Sequence, residues 1–167
     1  MAVDDPTGFN ASIVGQLKQI EERLSELSAA PRGKVKWGLT FVNPLHPTIT
    51  PAPTSLIATI AVPPLATQCG YSILATGLAT NPSATTAGTL TVKLAVTCGS
   101  YTKTAPNQSA TVPAGQAAQI GLPMVDTFTL DPGVTTITVT ASINCDAGTW
   151  TDPNNTLTLT PMALFAY

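Results

Sequence analysis

The residues of this chain best suited to chemistry sit together near its C-terminal end, in Trp150-Thr151-Asp152-Pro153-Asn154-Asn155. An indole can stack on a sugar ring while a carboxylate and an amide bond its hydroxyls. Trp150, Asp152 and Asn154 are therefore a candidate glycan contact. Trp37, Tyr71, Tyr101, Tyr167 and Asn107 have the chemistry to extend it. The plainer reading is that Trp150 caps the core or a contact between subunits. Asp-Pro-Asn-Asn is also ordinary turn material.

Catalytic constellations are missing. The single histidine, His46, lies in Asn43-Pro44-Leu45-His46-Pro47, a loop sequence. Nothing resembles a nucleophile elbow, a P-loop or a dinucleotide-binding glycine pattern. Asp146, Asp152 and Asn154 could offer oxygens to Ca²⁺, but their spacing matches no EF-hand and turn formation explains them better. Three cysteines, Cys69, Cys98 and Cys145, lack any CxxC spacing, so no zinc ligand set exists within one chain. The sequence reads as a non-enzyme that needs no metal and no cofactor. Net charge is −2, with no basic patch to neutralise phosphates, so nucleic acid is not an expected partner. No stretch approaches the roughly 18 apolar residues of a membrane span.

The elements that would position these residues fall into two parts. Charged residues make up 10% of the chain, well below the usual figure of about 25%. Most of them lie in residues 1–36. There the apolar residues Ile13, Leu17, Ile20, Leu24 and Leu27 recur at spacings of 4, 3, 4 and 3. That is the a/d rhythm of a coiled coil. Leu at a with Ile at d shifts preference from two strands to three or four, so a homotrimer or tetramer is expected. Fewer than three heptads cannot hold an assembly alone, so the helix should act with the body. The alternative is one amphipathic helix packed on its own domain. The reading divides the chain into an arm (1–9), an oligomerising helix (10–28), a linker (29–34) and a β-body (35–167).

From Lys34 onward the apolar period is two. Strands are expected over 35–42, 55–62, 70–79, 89–98, 118–130, 134–144 and 155–166. The clearest alternations are Leu90, Val92, Leu94, Val96 and Ile137, Val139, Ala141, Ile143, each against Thr-rich partners. Seven or eight strands with no helical pattern between them predict a mainly β fold, an antiparallel β-sandwich or jelly roll. Residues 128–139 read as strand, tight turn, strand. The proline-rich stretch 47–67 suits an edge, a rim or a contact between subunits. Thr89–Cys98 and Thr136–Cys145 align without gaps, which places Cys98 and Cys145 on apolar strand faces. Two buried thiols are favoured over a disulfide between them.

This layout resembles structural proteins of tailed-bacteriophage virions, especially minor tail proteins of actinobacterial phages. The resembling parts are the acidic start Asp4-Asp5-Pro6-Thr7-Gly8, the short heptad, the Pro31-Arg32-Gly33 linker and the Thr/Ala/Pro-rich body ending Leu164-Phe165-Ala166-Tyr167. The resemblance implies a non-enzymatic virion component, a trimeric minor tail or tail-tip protein with a helical stem and a β-sandwich head. A capsid decoration or head-fibre protein is the near alternative, and a glycan-binding host-attachment module the distant one. Its partners would be its own copies, other virion proteins of tail or capsid, and a host surface glycan. The N-terminus shows no secretory pattern, so synthesis in a host cytoplasm and release in a virion are expected.

Overall fold

The computed structural model describes residues 36–40 and 42–167. The expected arm, heptad helix (Ile13, Leu17, Ile20, Leu24, Leu27) and linker lie outside the described residues.

Period-two alternation becomes strand wherever the apolar set is continuous. Leu90, Val92, Leu94 and Val96 are all fully buried on one strand, and Val139, Ala141 and Ile143 on another. Their Thr and Ser neighbours point the other way, where a branched Cβ fits the pleat and the hydroxyl reaches solvent. Nine strands result: β1 (Lys36–Leu39), β2 (Thr54–Ala61), β3 (Gln68–Thr80), β4 (Gly88–Cys98), β5 (Tyr101–Thr104), β6 (Gln108–Val112), β7 (Ala117–Thr129), β8 (Thr136–Cys145) and β9 (Thr156–Ala166). No helix occurs among the described residues.

The strands form two antiparallel sheets. One has the order β1-β9-β3-β7. The other runs β2-β8-β4, with β5 and β6 both on the far edge of β4. With β5 and β6 counted as one interrupted strand, the order is that of a jelly roll. Their inward side chains make one shared core. Gly77 of β3 marks how closely the layers meet, since a Cβ there would fall 2.6 Å from Val92 Cγ2 and 2.8 Å from Ile143 Cδ1.

Three expectations are refined. Asp131-Pro132-Gly133 does turn, with Val134 N donating to the Asp131 carbonyl at 3.3 Å. The strands it joins, β7 and β8, lie in opposite sheets, so the turn is a crossover rather than a hairpin. β5 and β6 were not expected, because Tyr-Thr-Lys-Thr and Gln-Ser-Ala-Thr-Val carry little apolar alternation. Pro106, which has no N–H to donate, stands in the break between them. Within the proline-rich stretch, β2 forms the free edge of its sheet.

The register of β4 against β8 pairs Leu90 with Cys145 and Thr97 with Thr138. Cys98 and Cys145 thus sit at opposite ends of the pair, about 27 Å apart at roughly 3.4 Å per residue. No disulfide can join them. All three cysteines are buried free thiols, and burial pushes Cys69 up to about 11.

Candidate functional site

Trp150 does not present its ring. It is 3% exposed, and the end of its indole packs against Gly88, where a Cβ would fall 2.6 Å from Cζ2. Its main chain is paired both ways with Ile49: Trp150 N donates to the Ile49 carbonyl at 2.8 Å, and Ile49 N returns a bond at 3.0 Å. Asn155, fully buried, donates from Nδ2 to the Trp150 carbonyl at 2.9 Å and accepts from Thr80 N at 3.0 Å. Asp152 accepts from Asn154 N at 2.7 Å, and that amide holds its carboxyl below the usual carboxylate range. Asp152 and Asn154 therefore share one turn, while Trp150 faces the core. In this chain the Trp150 indole offers no open face to stack on a sugar.

Beside Trp150 lies a hollow of about 550 Å³. Of its polar side chains, Asn81 and Asp146 are already engaged. Asn81, 2% exposed, donates to the Thr86 and Val112 carbonyls at 2.9 and 3.0 Å and accepts from Ser83 N at 3.0 Å. Asp146 accepts from Thr89 N at 2.9 Å, which holds its carboxyl down. His46 Nδ1 donates to the Asn155 carbonyl at 3.2 Å. These groups tie loops together. Among the described residues, no three His, Cys, Asp or Glu side chains converge as a metal site.

A second cluster, unread in the sequence, joins the two sheets where β5 faces β3 and β7. Tyr101 stacks on Phe128 with ring centroids 3.9 Å apart. Tyr71 and Tyr101 share a hydroxyl bond at 2.8 Å, and Tyr101 OH donates to Asp126 Oδ2 at 2.8 Å. Lys103 Nζ donates to the same oxygen at 2.5 Å, and Thr127 N to the other at 2.8 Å. The Lys103 bond, then those of Tyr101 and Thr127, hold Asp126 at about 2. Burial first, then these bonds, push the Tyr101 phenol up, and burial raises Tyr71. Both phenols stay protonated at neutral pH. The cluster is a latch between layers.

The two outer sheet faces differ. On the second sheet, Thr59, Thr138, Thr97 and Thr102 form one row across β2, β8, β4 and β5. On the first sheet, Trp37 (65% exposed), Leu39 (53%), Leu74 (46%) and Val125 (69%) point outward, with half-buried Met162 and Leu164 between them.

No family model and no curated protein matches this chain. Solved structures of similar architecture include chains of viral particles. A chain of infectious bursal disease virus, Gx strain, is 7% identical with a TM-score of 0.47, over 82% of this chain and 32% of that one. A chain of the infectious bursal disease virus VP2 subviral particle is 11% identical with a TM-score of 0.43, over 81% and 33%. Murine APRIL is 11% identical with a TM-score of 0.37, over 79% and 100%. The chain spans about a third of the length of those viral chains.

Proposed function

We propose that this chain is a non-enzymatic structural protein of a virion that works as a homo-oligomer, a trimeric minor tail or tail-tip protein. The observation that carries the structural role is the apolar outer face of β1-β9-β3-β7 on a body with very few charges. Such a face is at home against protein. The buried polar side chains, Asn81 and Asn155, spend their hydrogen bonds on backbone groups of neighbouring segments. The virion setting rests on the sequence layout: acidic start, short heptad, linker and Thr-rich β-body. A second reading, a capsid decoration or head-fibre protein, is favoured by the jelly-roll strand order, which viral capsid domains use.

The experiment is electron microscopy of purified particles that carry the chain, labelled with an antibody to the β-body. Label at the tail tip supports the first reading, and label over the shell supports the second. Particles free of the chain contradict both.

A further inference from the structure

We infer that the outer face of β1-β9-β3-β7 is the surface on which copies of this chain pack against one another. The inference rests on the oligomeric reading above and names its interface.

Strand parity makes the face. Phe165, Ala163, Tyr71, Ile73, Leu122 and Met124 of this sheet are buried inward. The alternate positions should then be polar, as an antiparallel sheet with one wet side requires. The second sheet follows this more closely: β8 turns Thr138, Thr140, Ser142 and Asn144 outward and β4 turns Thr89, Thr91, Lys93 and Thr97 outward, with Ala95 and the exposed Ile57 of β2 as its apolar exceptions. The first sheet instead shows Trp37, Leu39, Leu74, Val125, Met162 and Leu164. Four of the six large hydrophobics that stand exposed among the described residues lie on this one face.

The register arranges them. One row runs Trp37, Leu164, Gly70, Thr127 and the next runs Leu39, Met162, Ser72, Val125. Large side chains flank small ones, leaving a shallow depression of about 250 Å³ over Gly70 and Ser72. A neighbour's side chain can seat there. Among the described residues the charged ones are Lys36, Lys93, Lys103, Asp126, Asp131, Asp146 and Asp152, and Lys36 has the opposite strand parity to Trp37. None points out from this face. Asp126 sits at its margin, held by Lys103 and Tyr101. Two identical faces can therefore meet without like-charge repulsion.

The chain before β1 argues for a second copy as the occupant. Thirty-five residues precede Lys36, and they contain the heptad Ile13–Leu27. From residue 28, the end of the heptad segment, to Lys36 is eight residues, at most about 28 Å of chain. Heptads joined in one seam would tether the β1 edge of every copy within that reach. The next residue, Trp37, already belongs to the apolar face. Tethering raises the local concentration of each face for the others. The face measures roughly 20 Å by 20 Å, about 400 Å². That is half of what a stable interface buries on each partner, about 800 Å². Face and stem are both required.

The test compares four full-length proteins by light scattering after gel filtration: wild type, Leu17→Asp, Val125→Lys and Ser72→Lys. Val125 and Ser72 are solvent-facing in one chain, so both lysine variants should keep the wild-type circular dichroism spectrum. The expected result is an oligomer for wild type and the mass of one chain for all three variants. Folded Val125→Lys and Ser72→Lys proteins that keep the wild-type mass would overturn the interface while leaving the stem reading intact. Lysine variants that fall to one chain while Leu17→Asp stays assembled would support the face and overturn the stem. A monomeric wild type would overturn both.

Discussion

Gly77 of β3 lies directly beneath Val92 of β4, so close that a Cβ would fall 2.6 Å from Val92 Cγ2. The two sheets pack at this spacing because position 77 has no side chain. Gly77→Ala should therefore destabilise the fold by about 1–3 kcal/mol through overpacking. Chemical denaturation would show a lower midpoint with an unchanged slope. An unchanged midpoint would mean that the layers adjust freely.

Trp150 and Asn155 hold the 146–155 loop to the Ile49 segment and to Thr80. Trp150→Ala should cost about 3–5 kcal/mol as a buried aromatic truncation. Asn155→Ala leaves the Thr80 amide and the Trp150 carbonyl short of partners and should cost about 1–3 kcal/mol. Thermal melts check both. A Trp150→Ala protein as stable as wild type would reopen a surface role for that ring.

Asp126 sets a pH dependence. Its folded value of about 2 lies below the unfolded value of about 3.9. Its stabilisation is therefore present above about pH 4 and is lost as pH falls from there toward about 2, because the unfolded chain takes up the proton first. Asp131, Asp146 and Asp152 are shifted the same way, by hydrogen bonds led by the amides of Ser100, Thr89 and Asn154. Urea melts across that window should show stability rising with pH, and Asp126→Asn should reduce the slope. An Asp126→Asn protein with the wild-type slope would contradict the latch.

Leu65 has a φ of 68° and is 88% exposed, at the third position of the Pro63–Ala66 turn. A Cβ in the left-handed region costs about 1–2 kcal/mol. Glycine there has an entropy penalty of only about 0.5–1 kcal/mol. Leu65→Gly should raise the melting temperature slightly, and β-branched Leu65→Val should lower it. The reverse order would contradict the turn geometry.

How much of this was legible depends on how local each feature is. The alternations of Leu90–Val96 and Ile137–Ile143 carry their own evidence, so the two central strands of the second sheet were readable. The mainly β class followed from them. β5 and β6 were not readable, because their strand character comes from pairing with β4 rather than from their own residues. Trp150 looked like a loop aromatic because its partner Ile49 lies about a hundred residues away. The Tyr101–Asp126 bond spans 25 residues and two sheets, with no spacing rule to announce it. The apolar face needs the parity of four strands at once. Only the register places Trp37 and Val125 on the same side.

The most direct measurement is acrylamide quenching of tryptophan fluorescence in the full-length protein. The chain has two tryptophans, and Trp150 is already buried within a single chain. Trp37 alone then reports whether the outer face is covered. If copies pack on that face, emission from the assembled protein is shielded from acrylamide, and Leu17→Asp exposes one tryptophan of the two. An assembled protein whose Trp37 is quenched as freely as in the Leu17→Asp variant would contradict packing through β1-β9-β3-β7.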